Sequence, residues 1–254
     1  MISISRKSEN TNMTEFRVFR FDPDDNKPAR FDTYTVPWEK GMTVLEGLLF
    51  ISDNVVDSPS FRYSCRAAVC GSCAMHINGK YRLACNTLIE TLLTDGNGTV
   101  TIQPLAHLPV YKDLVVNMDN FFKNYEAIKP YLIPSTKLAP EKEFTQSPLD
   151  RKKIDGAIDC ILCGACYGSC PVAGTNHEYL GPHAILKASR FYNDSRDAAN
   201  KERLALIGTN KGLFRCHSIF NCQVVCPKNL DPAGAIAQMK MKLVWQKIKG
   251  LFGG

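Results

Sequence analysis

Eleven cysteines occur in three groups along the chain, with spacings typical of sites that bind metal through sulfur. The second group follows the pattern C-x2-C-x2-C-x3-C-P. The third would repeat that pattern if residue 219 were a cysteine, but it is Ile219. Thiolates are soft ligands, and iron–sulfur clusters are commonly held by four of them. The three groups are Cys65, Cys70, Cys73 and Cys85; Cys160, Cys163, Cys166 and Cys170; and Cys216, Cys222 and Cys226.

The first group predicts a 2Fe–2S cluster. Four residues separate Cys65 from Cys70, two separate Cys70 from Cys73, and Cys85 follows later, which is the plant-type ferredoxin spacing. Gly71 lies between two ligands, where a glycine lets the backbone wrap a cluster and direct N–H groups at its sulfurs. A zinc site is the alternative, but such sites usually contain two close cysteine pairs, and this group has one.

The second and third groups predict two further clusters with crossed ligands. In the bacterial ferredoxin pattern, the fourth cysteine of a run binds the other cluster. The first three cysteines of the second group therefore need a distant partner, and Cys226, followed by Pro227, is the candidate. The predicted ligand sets are Cys160, Cys163, Cys166 and Cys226 for a 4Fe–4S cluster, and Cys170, Cys216 and Cys222 for the other cluster.

The set of three cysteines predicts a 3Fe–4S cluster. Ile219 stands where the fourth thiolate would be and has no donor atom, so a fourth iron would lack its usual ligand. An apolar residue beside the cluster would also keep water away, and burial is one of the factors that set cluster potential. The alternative is a 4Fe–4S cluster in which water or His217 binds the last iron.

Residues 14–105 are predicted to form an α+β domain. Stretches rich in Phe, Val, Tyr and Thr at 16–21 and 31–36 suit strands. Thr43-x-x-Glu46 is a capping box that starts a helix, and the Asn-Gly pair at 78–79 is typical of a type I′ hairpin turn. With a last strand at about 99–103, the pattern indicates a β-grasp fold like that of plant-type ferredoxins.

Residues 106–146 are predicted to connect this domain to an all-helical, bacterial-ferredoxin-like domain at 147–254. Within the connection, apolar residues recur every three or four positions over 114–128, which predicts a helix. Prolines then interrupt regular structure as far as Pro140.

Four helices are predicted in the C-terminal domain from local signals. Ser147 and Asp231 each precede a proline, which is the signature of a helix start. The segments 181–192 and 196–207 are the other two, the first opening with Gly-Pro and the second ending at a glycine.

Composition favours an ordinary soluble protein. The 254 residues suit two modest domains, and 44% of them are hydrophobic and 22% charged. No apolar run reaches the roughly 18 residues of a membrane-spanning helix. The N-terminus, residues 1–15, lacks the apolar segment of a secretory signal, so we expect a cytoplasmic location, where disulfides are a poor explanation for many cysteines.

The C-terminal segment, residues 239–252, combines basic and apolar residues and contributes to a net charge of +6. Such a segment suits a membrane surface or a partner helix. The alternative is a terminal helix packed on the core with a solvated lysine edge. The residues are Lys240, Lys242, Lys247 and Lys249 among Met241, Leu243, Val244, Trp245, Ile248, Leu251 and Phe252.

The three groups, in this order, closely resemble the iron–sulfur subunit of succinate dehydrogenase and fumarate reductase. The resemblance lies in CRAAVCGSCAM at 65–75, the C-x2-C-x2-C-x3-C-P run at 160–171 and CHSI-x2-C-x3-C-P at 216–227. It covers about residues 14 to 240. No phosphate-binding loop, nucleophile elbow or paired-carboxylate motif accompanies it, so no catalytic residue is expected on this chain.

The resemblance implies a place between two partners. Electrons would pass between an FAD flavoprotein subunit, which handles succinate or fumarate, and membrane quinone, through the 2Fe–2S, 4Fe–4S and 3Fe–4S clusters. A membrane anchor is implied, with a haem-bearing cytochrome b as one form of it, and the chain would lie peripherally on the cytoplasmic face of the membrane. No nucleic acid is expected as a partner.

The quinone side of this route is the least specified. Pro171, His217 and Ile219 are the predicted contacts, although His217 is equally suited to a hydrogen bond near the cluster. Many relatives that reduce ubiquinone carry a tryptophan shortly after the Cys-Pro of the second group, and residues 172–176 contain none. Menaquinone or a haem-bearing anchor is therefore an open alternative. Two other interpretations also stay open: a free-standing multi-cluster carrier, and the iron–sulfur subunit of another flavin-linked oxidoreductase.

Overall fold

The computed structural model describes residues 12–25, 27–94, 98–135 and 142–252, without the side chains of the last two. The predictions for residues 1–11, for Pro140 and for the side chains of Leu251 and Phe252 lie outside this part. The chain forms two compact units. The first contains the described residues up to Pro104 together with Val110–Val116, and the second contains Leu105–Pro109 and those from Asn117 onward. The predicted domain boundaries at 105 and 146 stay a prediction.

The first unit is built on a five-stranded mixed sheet in the order β2-β1-β5-β3-β4. β1 is antiparallel to β2 and parallel to β5, while β3 is antiparallel to both β5 and β4. This arrangement confirms the strands of the predicted α+β domain. The strands are β1 (Asn12–Arg20), β2 (Arg30–Trp38), β3 (Ala74–Ile77), β4 (Lys80–Leu83) and β5 (Thr99–Gln103).

One helix, α1 (Val44–Asn54), packs against this sheet. It begins at the predicted capping box, in which the Thr43 hydroxyl accepts from the Glu46 N–H and the Glu46 carboxylate accepts from the Thr43 N–H. A Cβ on Gly47 would lie 2.3 Å from the Phe16 ring, so the absence of a side chain allows the helix to approach β1 closely. A second short helix, α2 (Ile89–Thr94), follows.

The hairpin between β3 and β4 places the fourth cysteine of the first group. Asn78 and Gly79 both have positive φ, 43° and 76°, as the type I′ prediction requires. The return strand pairs Ala74 with Leu83, so that Cys85, in the 3₁₀ turn Ala84–Asn86, lies beside the strand that follows the other three cysteines.

The helix predicted over 114–128 is wrong in its first third. There the chain forms the short strand β7 (Val115–Val116), which is antiparallel to β6 (Val110–Lys112) just before it, and helix α3 begins only at Asp119 (Asp119–Ala127). Asp113 causes the turn between the strands: its φ is +48°, and its buried carboxylate accepts from the backbone N–H groups of Phe21 and Ser60. The apolar spacing alone could not reveal these distant contacts.

The second unit is helical. The predicted starts after Ser147 and Asp231 are confirmed, because each side chain accepts a backbone N–H three residues later. Among the described residues, no helix is long and apolar enough to cross a membrane. The helices are α4 (Pro148–Lys152), α5 (Ala165–Gly168), α6 (Pro171–Thr175), α7 (Gly181–Tyr192), α8 (Asn200–Ile207), α9 (Asn221–Val224) and α10 (Pro232–Phe252), with 3₁₀ turns at Ala157–Asp159 and Leu213–Arg215.

Helix α8 begins four residues later than the predicted Arg196. The Asp194 carboxylate accepts from the Arg196 N–H, and the Asp197 carboxylate accepts from the Ala199 N–H. Aspartate competes in this way with helical hydrogen bonding, so the segment forms two successive turns before the helix starts.

Arg203 on α8 is buried and connects separate segments of the second unit. Its side chain is 1% exposed and donates to both carboxylate oxygens of Asp197, at 3.0 and 2.6 Å. It also donates to the carbonyl oxygens of Ile128, Lys129 and Tyr131, which follow α3. The guanidinium therefore links α8 to a segment distant in sequence.

Replacing Arg203 with Ala is expected to lower the free energy of unfolding by about 3–5 kcal/mol, because it leaves a buried carboxylate unpaired. Denaturant unfolding of the cluster-loaded chain, followed by circular dichroism, measures the loss. Arg151→Ala is the control, since its ion pair with Asp155 is exposed and contributes about 0.5 kcal/mol at most. Equal losses in the two variants would contradict the role given to Arg203.

Candidate iron–sulfur sites

The first cysteine group forms a loop whose backbone turns toward the sulfurs. Positive φ angles at Arg66, Ala68 and Gly71 alternate with ordinary ones, so that successive N–H groups point to the same side. Cys73 and Cys85 are buried, whereas Cys65 and Cys70 are exposed. One side of the sulfur set thus faces the interior of the unit and the other faces outward.

Backbone N–H groups of this loop point at cysteine sulfurs. The Cys65 Sγ lies 3.3 Å from the N–H nitrogens of Ala67, Val69 and Cys70, and the Cys85 Sγ lies 3.3 Å from that of Ala68. Donors aimed at sulfur stabilise thiolates and the negative charge of an iron–sulfur cluster. The donor set therefore fits the predicted 2Fe–2S cluster.

The protonation of these thiols depends on their surroundings. Hydrogen bonds from Ser72 lower the pKa of the exposed Cys70 to about 6, while burial raises the pKa of Cys73 to about 12. A buried thiol at such a pKa binds metal only with loss of its proton, and iron supplies the positive charge that compensates the desolvated thiolate.

The predicted 4Fe–4S ligands lie around one cavity in the second unit. Its volume is about 370 Å³, and Pro227, Phe121 and Leu186 contribute apolar walls. Three of the cysteines come from the loop before and within α5, while the fourth follows α9. The cysteines that line the cavity are Cys160, Cys163, Cys166 and Cys226.

The predicted 3Fe–4S ligands lie around a second cavity in the same unit. Its volume is about 360 Å³. The walls include Tyr179 and Ile236 as well as all three predicted quinone-side residues, and each of those three is exposed. The predicted residues at this cavity are Cys170, Cys216 and Cys222 with Pro171, His217 and Ile219.

Ile219 occupies the backbone position that Cys163 occupies in the other loop. In each loop, the residues two and four positions after the first cysteine are left-handed. A short helix then begins one residue before the next ligand, which is Cys166 in one loop and Cys222 in the other. Ile219 is 48% exposed in this chain alone, and its role in keeping water from the cluster stays a prediction. The left-handed residues are Leu162, Gly164, Ser218 and Phe220.

Burial dominates the electrostatics of both cavities. It raises the pKa of Cys163 to about 11 and that of Cys222 to about 12, and it raises the pKa of Cys166 well above its ordinary value. The segments that carry the two thiol sets contact each other, because the Asn221 side chain, beside Cys222, donates to the Ser169 carbonyl at 3.1 Å. Thiolates around one buried cavity need a cation among them, which again fits iron.

Two lysines and a tyrosine near these sulfurs were missed by the sequence reasoning. Lys240 on α10 donates to the Cys216 carbonyl at 2.9 Å, and Lys187 on α7 is half-buried near Cys160. Tyr179 is buried at the wall of the three-cysteine cavity. These contacts join positions distant in sequence, and no local pattern indicated them.

Three arginines near the first group have local partners. Arg62 donates to the Val116 carbonyl, and the Arg66 guanidinium lies 5.3 Å from the Tyr63 ring centre. Arg82 lies on β4 and pairs across the hairpin with Met75.

Comparison with known families gives two matches, one to each half of the chain. Residues 15–123 match the model of a 2Fe–2S iron–sulfur cluster binding domain, and residues 156–230 match that of a 4Fe–4S dicluster domain. These matches confirm the predicted 2Fe–2S and 4Fe–4S cofactors and the order of the domains.

Curated relatives are similar along most of the chain. The succinate dehydrogenase iron–sulfur subunit of Paracoccus denitrificans is 44% identical over 236 residues, which cover 92% of this chain and 89% of the relative. The fumarate reductase iron–sulfur subunit of Escherichia coli O6:H1 is 39% identical over 228 residues, which cover 90% and 92%.

A solved structure supports the same conclusion. A chain of the Mycobacterium smegmatis Sdh1 complex in the apo form superposes with a TM-score of 0.83 at 26% identity, covering 94% of this chain and 98% of that one. The match confirms the α+β first domain and the helical second domain. The chain belongs to the family of succinate dehydrogenase and fumarate reductase iron–sulfur subunits.

Proposed function

We propose that this chain is the electron-transfer subunit of a succinate:quinone oxidoreductase or fumarate reductase. It passes single electrons between an FAD flavoprotein subunit and membrane quinone through 2Fe–2S, 4Fe–4S and 3Fe–4S clusters. The flavin exchanges two electrons with succinate or fumarate, and one-electron carriers allow them to leave singly. The substrate site is assigned to the flavoprotein subunit and not to this chain.

One observation carries this proposal: two cysteine-lined cavities lie in the second unit, one with four thiols and one with three, and the segments that carry them contact each other. Neighbouring sites of different ligand number support a route along which electrons pass from one cluster to the next.

The proposed ligands are those predicted from spacing. Cys65, Cys70, Cys73 and Cys85 hold the 2Fe–2S cluster, with N–H groups of their own loop directed at the sulfurs. The crossing of the other two sets is supported by the residues around each cavity. The remaining ligands are Cys160, Cys163, Cys166 and Cys226 for 4Fe–4S, and Cys170, Cys216 and Cys222 for 3Fe–4S.

The family supports two kinds of partner, a flavoprotein and a membrane anchor. We assign FAD to the flavoprotein and quinone to the anchor side, with a haem-bearing cytochrome b as one form of the anchor. The chain is peripheral, on the cytoplasmic face of the cell membrane. Pro171, His217 and Ile219, exposed at the three-cysteine cavity, are the proposed contacts on the quinone side.

Purification from native membranes in mild detergent tests this function. The tagged chain is expected to bring an FAD-containing subunit with it, and succinate alone should then reduce the 2Fe–2S and 3Fe–4S clusters, as seen by electron paramagnetic resonance. A sample without succinate is the control. A chain that purifies alone with all its clusters, and that succinate does not reduce in the presence of the membranes, would be a free-standing carrier instead.

A further inference from the structure

Helix α10 has two apolar faces, and only one of them is packed. Along the inner face, Ile236, Met239 and Leu243 are buried against the second unit. On the opposite face, large apolar residues recur at i, i+3, i+4 and i+7, which forms a continuous stripe on a helix. This outer stripe consists of Met241 (63% exposed), Val244 (50%), Trp245 (57%) and Ile248 (40%).

Lysines border the outer stripe on both sides. Residues on a helix advance by about 100° each, which places Lys242 and Lys249 along one edge of the stripe and Lys247 along the other. All three are exposed. The sequence of α10, residues 232–252, contains no Asp or Glu, so every charged side chain that the helix places beside the stripe is basic.

An open groove runs along one edge of the stripe. Its volume is about 1430 Å³, and Lys242, Trp245 and Lys249 of α10 face Lys201 of α8 and Tyr192 at the end of α7 across it. Three ammonium groups and two aromatic rings thus line one surface depression. Such a surface offers charge to a phosphate headgroup and amphipathic rings to the boundary below it.

Helix α10 passes the three-cysteine cavity before the stripe begins. Lys240, directly before the stripe, donates to the Cys216 carbonyl at 2.9 Å, and Ile236, one turn earlier, lines the cavity itself. The packed face of α10 therefore contacts the proposed exit for electrons, and the outer stripe lies on the opposite face of the same helix. The exposure of the stripe and the positions of its lysines do not depend on whether the chain has that proposed function.

We propose that the outer stripe of α10 docks on an anionic phospholipid surface. A bilayer of this kind satisfies both features at once, because the apolar side chains enter the headgroup boundary while the bordering lysines extend to the phosphates. A partner helix would cover the stripe but would have to bring acidic residues along both of its edges. Uniform positive charge on both borders favours the lipid surface.

Vesicle flotation with the cluster-loaded full chain tests the proposal. Binding is expected to vesicles of equal parts phosphatidylcholine and phosphatidylglycerol, and not to phosphatidylcholine alone. Molar salt should release the chain, because the Debye length falls to about 3 Å. Inorganic phosphate at the same ionic strength as chloride should release it no better than chloride does, which separates a lipid surface from a site for free phosphate.

The lysines are tested by the triple variant Lys242→Gln, Lys247→Gln and Lys249→Gln. Its affinity for the mixed vesicles is expected to fall on the order of 100-fold, since each lysine near an anionic surface contributes separately. The matched control, Lys80→Gln, Lys123→Gln and Lys152→Gln, changes the net charge equally at exposed lysines elsewhere and should bind as wild type does. Equal weakening by both triples would overturn the proposal.

The stripe is tested by the fluorescence of Trp245. The chain has two tryptophans, so Trp38→Phe leaves Trp245 as the only one. Its emission should shift to the blue, and its quenching by iodide should fall, when mixed vesicles are added. If the chain binds the vesicles but the Trp245 emission spectrum does not change, the docking of this face is overturned. The proposal is also overturned if the wild-type chain does not bind vesicles but forms a dimer that Ile248→Gln abolishes.

Discussion

Replacing Cys226 with Ser is expected to abolish the 4Fe–4S cluster, although Cys226 belongs to the third group in sequence. Cys226 lines the same cavity as Cys160, Cys163 and Cys166. A serine hydroxyl is a harder and less acidic ligand than a thiol, and the loss leaves that site with three sulfurs. Electron paramagnetic resonance and Mössbauer spectra of the purified chain should lack the 4Fe–4S component or show it converted to an iron-poor form.

The complementary variant is Cys170→Ser, which should spare the 4Fe–4S cluster and eliminate the 3Fe–4S signal. Cys170 lies at the cavity with Cys216 and Cys222, although it belongs to the second group in sequence. Val224→Ser is a suitable control, because Val224 is 82% exposed on the short helix between two ligands. If each variant instead damaged the cluster of its own sequence group, the crossed assignment would be wrong.

Ile219→Cys is expected to convert the 3Fe–4S cluster into a 4Fe–4S cluster. The loop around Ile219 has the same alternation of left-handed residues as the loop that holds Cys163, so the new thiol would stand where the other site has a ligand. The side chain also lines the cavity. The signal of the oxidised 3Fe–4S cluster should disappear, and one more iron should be found per chain.

Ile219→Ala separates the effect of the thiol from that of lost bulk. It should keep the 3Fe–4S signal, because it adds no donor atom. An unchanged 3Fe–4S signal in Ile219→Cys would contradict the proposal that the missing thiolate decides the iron content. It would point instead to some other feature of the loop that excludes the fourth iron.

Much of the local structure could be predicted because its causes lie within a few residues. The capping box at Thr43, the left-handed Asn78-Gly79 turn and the start of α10 at Asp231 each depend on side chains and backbone groups close together in sequence. The helix over 114–128 failed for the opposite reason. The turn at Asp113 is stabilised by N–H groups of Phe21 and Ser60, which no spacing of apolar residues reveals.

The sequence by itself predicted the number and kind of the cysteine sites, because ligand identity and spacing are local properties of the chain. It also predicted the missing ligand at Ile219 and the crossing that assigns Cys226 to the second group. Only the tertiary structure showed Cys226 at the cavity of that group, and only it divided α10 into a packed face and an exposed stripe. Both results depend on which distant segments pack together, and burial of apolar surface across the whole unit decides that packing.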